Sequence, residues 1–142
     1  MEAGAGIPII DLYEWLPTYG ENSIIIESKG LELSIKVEYD VEDKPQATGY
    51  RELRFNMVCA FLRTAFPGIP ISNINYASNV KAPSMGALIE YPSSETALAW
   101  RRHFGGYRPV KHYQIAFLSE NILVEVFAGS VTLGDETIIT SQ

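Results

Sequence analysis

The residues best suited to binding chemistry are concentrated between positions 101 and 112. Four of the eleven lysines and arginines and both histidines fall within this stretch. An arginine side chain can hold a carboxylate or a phosphate through two parallel hydrogen bonds. One hypothesis is therefore an anion or small-molecule site, and its candidate residues are Arg102, Arg108, Lys111 and His112.

The same charges also have a structural interpretation. Arg101, Arg102 and His103 would fill the last turn of a predicted helix, where positive side chains complement the helix dipole. The carbonyl groups at that end repel anions, which disfavours an anion site there. The sequence thus favours a structural role for this basic stretch over a ligand site.

Motifs for catalysis, metals and cofactors are missing from the sequence. His103 and His112 are accompanied by no HExxH pattern and no aspartate-rich loop. Cys59 is the only cysteine, which excludes a cysteine-based zinc site, and no phosphate-binding or dinucleotide-binding glycine pattern occurs. No catalytic residue, metal ligand or cofactor is therefore assigned, and the sequence favours a protein that is not an enzyme. Reactivity of the Cys59 thiol would require a neighbouring base or positive charge.

Negative charge is concentrated in the first third of the chain. The net charge is −6, and residues 1–50 hold ten acidic but only three basic side chains. Non-specific nucleic-acid binding needs a basic surface that releases counterions, so we expect no nucleic-acid partner. A basic protein is the partner that this acidity would suit, and the candidate residues are Glu38, Asp40, Glu42 and Asp43. Plain solubility is the alternative explanation.

No segment of the sequence indicates a membrane span. The first ten residues lack the basic region that precedes the apolar part of a secretory signal. The longest uninterrupted apolar run, residues 57–62, is far shorter than the roughly 20 residues that cross a bilayer. We therefore expect a cytoplasmic protein without a membrane partner.

Two hairpins are predicted from alternating apolar residues. The first covers residues 112–129 and has a turn of even length, which pairs Phe117 with Val124 and Ile115 with Val126. An even turn is preferred because it collects the aliphatic side chains on one face. The second covers residues 23–40, with Lys29-Gly30 as its turn. Its predicted pairs are Ile26 with Leu33, Ile24 with Ile35, and Glu27 with Glu32.

Two helices are predicted beside these hairpins. The principal helix covers Thr48 to Phe66, because its apolar side chains fill most of a helical wheel and Pro67-Gly68 would end it. The second covers Pro92 to Phe104, with Ser93 as its N-cap. Shorter predictions are a helical turn after Asp11, strands at 71–76, 87–91 and 130–133, and a loop at 77–86.

These elements predict an α+β fold. Residues 1–142 would form one domain, with an antiparallel sheet of five to seven strands, two main helices packed on it, and an N-terminal arm at 1–22 that carries the short helix. No motif is specific enough to indicate a family.

The leading functional hypothesis is a non-catalytic protein that binds another macromolecule through its acidic surface, as an inhibitor, an immunity-type protein or an adaptor. The first alternative is a small-molecule or anion-binding domain, or an enzyme, with a pocket between helix and sheet. The second alternative is a homodimeric structural module, suggested by the broad apolar surface of the Thr48–Phe66 helix.

Overall fold

The computed structural model describes residues 1–65, 75–76 and 86–140. Within these ranges the chain is mostly β-structure, with one α-helix, α1 (Glu95–His103), and one short 3₁₀ helix (Leu12–Glu14). The strands, in chain order, are β1 (Glu2–Gly4), β2 (Ile7–Asp11), β3 (Ser23–Lys29), β4 (Glu32–Asp40), β5 (Ala47–Asn56), β6 (Ala60–Ala65), β7 (Asn75–Tyr76), β8 (Ala87–Glu90), β9 (Lys111–Phe117), β10 (Ile122–Ala128), β11 (Ser130–Leu133) and β12 (Thr137–Thr140).

Most of the strands form two antiparallel sheets. The first sheet has the order β2-β8-β9-β10-β6. The second has the order β11-β5-β4-β3, and β12 pairs with the same side of β5 farther along that strand. β1 and β7 form a separate parallel pair. The predicted α+β fold, one sheet carrying two main helices, is therefore wrong.

The two sheets pack face to face around a shared apolar core. Alternate residues of β4 and β5, including Ile35, Leu53 and Phe55, are fully buried on the inner face of the second sheet. The first sheet contributes alternate residues of β9 and β10, and the Phe55 and Tyr113 rings lie 5.6 Å apart. Period-two burial on facing sheets is the signature of a β-sandwich.

The predicted helix from Thr48 to Phe66 is wrong, because its described residues, 48–65, lie in two strands and the turn between them. Residues 47–56 form β5 and residues 60–65 form β6, with a turn at Met57, whose φ is 56°. β5 is inserted between β4 and β11, whereas β6 pairs with β10 in the other sheet. An apolar run that is buried in two different sheets also fills a helical wheel, so periodicity did not distinguish the two structures. Pairing with distant strands overrode the helical pattern.

The first hairpin has the even turn that was predicted, but its register is displaced. Phe117 lies opposite Ile122 and Ile115 lies opposite Val124, so the turn holds residues 118–121, with Asn121 at φ 54°. The predicted pairs Phe117–Val124 and Ile115–Val126 are wrong by two residues. A displacement of two leaves every side chain on its predicted face.

The second hairpin shows the same displacement. Its two-residue turn is Gly30-Leu31, because Lys29 lies opposite Glu32. Gly30 has a φ of 59°, which side chains rarely tolerate. Ile26 therefore pairs with Ile35 and not with Leu33. The predicted pair Glu27–Glu32 is also wrong, since Glu27 faces Ser34.

The second predicted helix is confirmed as α1, with a different N-cap. Ser94, not Ser93, caps it, and the Ser94 Oγ accepts a hydrogen bond of 3.2 Å from the Ala97 backbone N–H. α1 packs on the outer face of the first sheet through a cluster that includes Ala97 and Phe127. The molecule therefore has the layer order helix, first sheet, second sheet in this region.

The remaining sequence predictions have mixed outcomes. The helical turn after Asp11 is confirmed, since the Asp11 carboxylate accepts from the Tyr13 N–H at 2.9 Å. The arm around it also contributes β2 to the first sheet. Strands at 87–90 and 130–133 are confirmed. The predicted strand at 71–76 is described only at its last two positions, and the predicted loop at 77–86 lies outside the described residues except for Gly86.

Candidate functional site

A chain of three polar side chains is buried between α1 and the first sheet. Ser94 is 1% exposed, His112 is 0% exposed and Glu125 is 5% exposed. Charged side chains are rarely this deeply buried unless they are paired. This group, called the buried polar chain below, is the most unusual chemistry in the described residues.

Hydrogen bonds connect the three side chains in order. The Ser94 Oγ lies 2.9 Å from His112 Nδ1, and His112 Nε2 lies 3.0 Å from Glu125 Oε1. β9 and β10 present the imidazole and the carboxylate on the same face, and the N-cap position of α1 places the hydroxyl above them. The buried polar chain thus joins the N-terminus of α1 to the middle of the first sheet.

Aromatic rings surround the imidazole. The centroid of the His112 ring lies 4.5 Å from that of Phe127 and 4.9 Å from that of Tyr91. The Tyr91 hydroxyl donates to Gln114 Oε1 at 2.7 Å, which fixes the tyrosine ring over the strand. These rings displace water, so the polar chain lies in a medium of low polarity.

Burial changes the proton affinities of both ionisable groups. It lowers the pKa of His112 to about 4, because the imidazolium would lose its hydration. It raises the pKa of Glu125 to about 7 for the same reason, because a buried carboxylate is costly in its charged form. At neutral pH the imidazole is therefore uncharged, and the carboxyl group is near its midpoint.

The buried polar chain contains the residue types of a serine-hydrolase triad but not its geometry. In that triad the serine hydroxyl contacts Nε2 of the histidine and is open to substrate. Here Ser94 contacts Nδ1, is buried, and has its Oγ engaged by the Ala97 N–H. The arrangement suits proton and tautomer chemistry in a closed interior, and not nucleophilic attack.

One feature of the sequence indicates this site. Glu125 is the only charged residue in the apolar strand β10, and a histidine lies at the start of the adjacent strand. A charge inside an otherwise buried strand implies a buried partner. The contribution of Ser94 had no comparable signal, because serine caps are common.

The four residues predicted to bind a ligand lie in different surroundings. Arg102 is exposed on α1, and Lys111 is exposed and pairs with Glu90 at 3.9 Å. The Arg108 guanidinium lies over the Phe104 ring at 4.1 Å. His112 is buried, and it projects to the opposite face of β9 from Lys111, because side chains alternate along a strand.

Cys59 lies beside one of these residues. Its sulfur is 4.0 Å from Arg108 Nη2, and the thiol is half-buried. Burial raises the pKa of the thiol, although the neighbouring Arg108 charge lowers it in part. The balance favours the protonated thiol, which is the less nucleophilic form.

The four residues predicted to bind a basic partner come together at one end of the second sheet. Glu38 and Asp40 are on the outer face of β4, and the exposed Glu42 and Asp43 follow in the turn. We call this group the acidic patch. Tyr50 on β5 lies opposite Glu38.

The two strand residues of the acidic patch are held by hydrogen bonds. Asp40 accepts from the Asn22 amide at 2.6 Å and from the Tyr19 hydroxyl at 3.1 Å. Glu38 accepts from the Ser23 hydroxyl at 3.0 Å and lies 3.6 Å from the Lys36 ammonium. Neighbouring side chains therefore fix the orientation of both carboxylates.

The described residues contain neither a metal site nor a membrane-spanning helix. Among residues 1–65, 75–76 and 86–140, no group of three or more His, Cys, Asp or Glu side chains is arranged to hold a metal ion. In the same part of the chain, no helix has the length and apolar character needed to cross a membrane.

Comparison with known proteins identifies no relative for this chain. No family model, no curated protein and no solved structure matches it. Its function is therefore inferred from the contacts and charges of its own residues.

Proposed function

We propose that this protein is a non-catalytic binding protein, and that its partner is a basic protein held by the acidic patch. The observation that carries the proposal is the gathering of Glu38, Asp40, Glu42 and Asp43 at one exposed end of the second sheet. Four carboxylates in one place create a local negative potential that attracts and orients a positively charged surface.

The organisation of the patch supports the proposal. Asp40 and Glu38 are already oriented by neighbouring side chains, so binding would immobilise few additional groups. Ordering a flexible side chain at an interface costs about 0.5–1.5 kcal/mol, which preorganised groups avoid. A patch built in this way favours recognition over plain solubility, for which orientation has no value.

Tyr50 gives the patch an apolar component. It is half-buried opposite Glu38, and the Lys36 ammonium lies 4.0 Å from the centre of its ring. Tyrosine is among the residues that contribute most to protein interfaces, because a rigid ring buries a large area at low entropic cost. Lys36 of this chain already contacts both the ring and the Glu38 carboxylate, so the surface here accommodates a cation beside a carboxylate and an aromatic face.

A small inhibitor or immunity-type protein that neutralises a basic toxin fits this description, and so does an adaptor. The small-molecule alternative has less support, because Arg102 and Lys111 are exposed while His112 is buried on the other face of the strand. The homodimer alternative has lost its support, since the described residues of the predicted apolar helix, 48–65, lie in two strands and the turn between them.

A charge-neutralised variant tests the proposal. The patch variant carries E38Q, D40N, E42Q and D43N, and the matched control carries E14Q, E27Q, E32Q and D135N, which are exposed carboxylates outside the patch. Both changes remove the same charge and retain side-chain shape. The measurement is the set of proteins that each immobilised chain retains from an extract of the source organism, at about 50 and 500 mM salt, since salt screens surface charge.

We expect the wild type and the control to retain the same basic proteins at low salt and to release them at high salt. The patch variant should retain none of these proteins. The proposal is wrong if the wild type retains no protein at low salt. It is also wrong if the patch variant and the wild type retain the same proteins, or if retention is indifferent to salt.

A further inference from the structure

We propose that Ser94, His112 and Glu125 form a proton-operated switch beneath the N-terminus of α1. When the Glu125 carboxyl group gains or loses a proton, His112 remains neutral and its ring hydrogen changes from one nitrogen to the other. The proposal concerns the buried polar chain and is independent of the function proposed for the acidic patch.

The hydrogen bonds define one state when Glu125 is ionised. The carboxylate can only accept, so His112 Nε2 must carry the ring hydrogen and donate to Oε1 across 3.0 Å. Nδ1 is then an acceptor, and the Ser94 hydroxyl donates to it across 2.9 Å. The Ala97 N–H donates to the Ser94 Oγ. Every donor in the chain therefore points from the helix toward the carboxylate.

Protonation of Glu125 reverses this direction at the imidazole. The carboxylic acid now donates to Nε2, so the ring hydrogen must be on Nδ1, which donates to the Ser94 Oγ. The Ala97 bond survives, because a hydroxyl oxygen has two lone pairs. The buried polar chain takes up one proton in total. The Glu125 carboxyl group gains it, the His112 ring still has one hydrogen, and Ser94 keeps its hydroxyl hydrogen.

Within the described residues, no charged group of α1 forms an ion pair with Glu125. Glu95 is exposed beside the cap, where its carboxylate accepts from the Glu2 N–H at 3.1 Å. His103 packs its ring against Phe104 at the far end of the helix. Arg101 follows Ala97 by one turn and is half-buried, yet within the described residues Glu125 has no ion-pair partner within 4.0 Å other than His112.

The neighbouring strands place the following groups around the pair. Lys111 and Tyr113 flank His112 in the sequence and project to the other face of β9. Tyr91 of β8 packs its ring against the imidazole. On the far side of β10, Leu62 of β6 lies opposite Glu125. The imidazole and the Glu125 carboxyl group are in direct contact at 3.0 Å, which couples their protons.

The switch connects proton binding to the docking of α1. The helix N-terminus covers the pair, so lifting α1 would hydrate Glu125 and restore the ordinary acidity of its carboxyl group. A proton held by the covered pair would then be released. By linkage, a change in pH must in turn change how firmly α1 is docked.

Nitrogen-15 spectra of the histidine rings in the full chain test the proposal. From pH 9 down to pH 5, His112 should remain neutral and change from the Nε2–H tautomer to the Nδ1–H tautomer, with a midpoint near 7. The exposed ring of His103 provides a second histidine in the same spectra. An imidazolium pattern for His112 between pH 5 and 7, or a single tautomer throughout, would overturn the proposal.

Variants and a second measurement make the assignment specific. E125Q cannot take up a proton, so His112 should keep one tautomer from pH 5 to 9. E90Q makes the same change to a carboxylate on β8 that pairs with Lys111, and it should leave the switch intact. If E125Q does not fold, the carbon-13 signal of the wild-type Glu125 carboxyl group decides. It must titrate with the same midpoint as the tautomer change, and a carboxyl group that stays ionised down to pH 5 would refute the switch.

Discussion

His112 on β9 and Glu125 on β10 are hydrogen-bonded at 3.0 Å, although neither is the cross-strand partner of the other. His112 lies opposite Phe127, and Glu125 lies opposite Gln114. The imidazole therefore reaches diagonally along one face of the hairpin to the carboxylate. Because the diagonal pair is covered by α1, the protonation of both groups depends on folding.

The pH dependence of stability follows from the two opposite pKa shifts. The pKa of His112 is lowered from 6.5 to about 4, so its contribution to stability is complete above pH 6.5 and is lost as the pH falls toward 4. The pKa of Glu125 is raised from 4.5 to about 7, so its contribution is complete below pH 4.5 and is lost as the pH rises toward 7. Between pH 4.5 and 6.5, the folded and unfolded states each bind one proton on this pair. The folded state binds it on Glu125, and the unfolded state binds it on His112. The two contributions then offset each other.

The Glu125→Gln variant removes one side of this balance. Its free energy of unfolding should fall by roughly 3 kcal/mol between pH 6.5 and 4.5, at about 1.4 kcal/mol for each pH unit. In the wild type the two residues together should change the free energy of unfolding very little over the same range. Urea unfolding at pH 4.5, 5.5 and 6.5 measures the difference. Glu90→Gln serves as the control and should follow the wild type. A Glu125→Gln profile parallel to that of the wild type would contradict the opposed shifts.

Removal of the Ser94 hydroxyl should destabilise the protein. Ser94→Ala removes a helix cap, which contributes about 0.5–2 kcal/mol, and leaves His112 Nδ1 without its hydroxyl partner. We expect a total loss of roughly 2–3 kcal/mol in urea unfolding, since an unsatisfied buried polar group costs about 1–3 kcal/mol. Ser93→Ala, at the exposed neighbouring position, should change stability by less than about 0.5 kcal/mol. Equal effects of the two substitutions would show that Ser94 is not the cap.

The buried carboxylate of Glu21 should stabilise the turn between β9 and β10. Glu21 is 4% exposed and accepts hydrogen bonds from the backbone N–H groups of Ser119, at 2.9 Å, and Glu120, at 3.2 Å. Hydrogen bonds to charged groups contribute about 1.5–3 kcal/mol, so Glu21→Ala should lower the free energy of unfolding by roughly 2–4 kcal/mol. Amide exchange at Ser119 and Glu120 should accelerate as well. Glu14→Ala removes an exposed carboxylate and should do neither; unchanged exchange in Glu21→Ala would refute this role.

Gly49 should tolerate no side chain, because Tyr39 packs directly against it. A β-carbon at Gly49 would lie 2.9 Å from two carbons of the Tyr39 ring, whose hydroxyl is hydrogen-bonded to Glu136. Gly49→Ala should therefore destabilise the protein by about 1–3 kcal/mol through overpacking, as measured by thermal or urea unfolding. Gly134→Ala is the matched control, since its β-carbon would meet only ordinary contacts of 3.6 Å and 4.0 Å. A Gly49→Ala protein as stable as the control would mean that Tyr39 can move aside.

Alternating apolar residues and helix-capping residues predicted several strands and α1 correctly. Alternation in β4, β9 and β10 indicated strands with the correct buried faces. The cap and charge pattern of α1 indicated a helix ending at Phe104, one residue after the observed last residue, His103. The pairing of Phe117 was wrong by two residues, because a displacement of two keeps every face unchanged. Faces are therefore readable from a sequence where register is not.

The strands β5 and β6 were not predictable in the same way. β6 pairs with β10, more than fifty positions along the chain, and β5 lies between β4 and the pair β11 and β12. β4 is the neighbour of β5 in sequence, but the partners of β6 and of the other side of β5 lie far along the chain, and an apolar run buried by such partners also fills a helical wheel.

The sequence by itself determined the charge imbalance and the presence of a charged residue in an apolar strand. It also placed four acidic residues at the end of one strand and in the turn that follows, namely Glu38, Asp40, Glu42 and Asp43. Only the tertiary structure decided that Glu125 meets His112, thirteen positions away, and that Ser94 closes the chain from eighteen positions away. The physical reason is that strand pairing and helix docking bring these groups together, and burial then alters their proton affinities. Neither effect has a local pattern in the sequence.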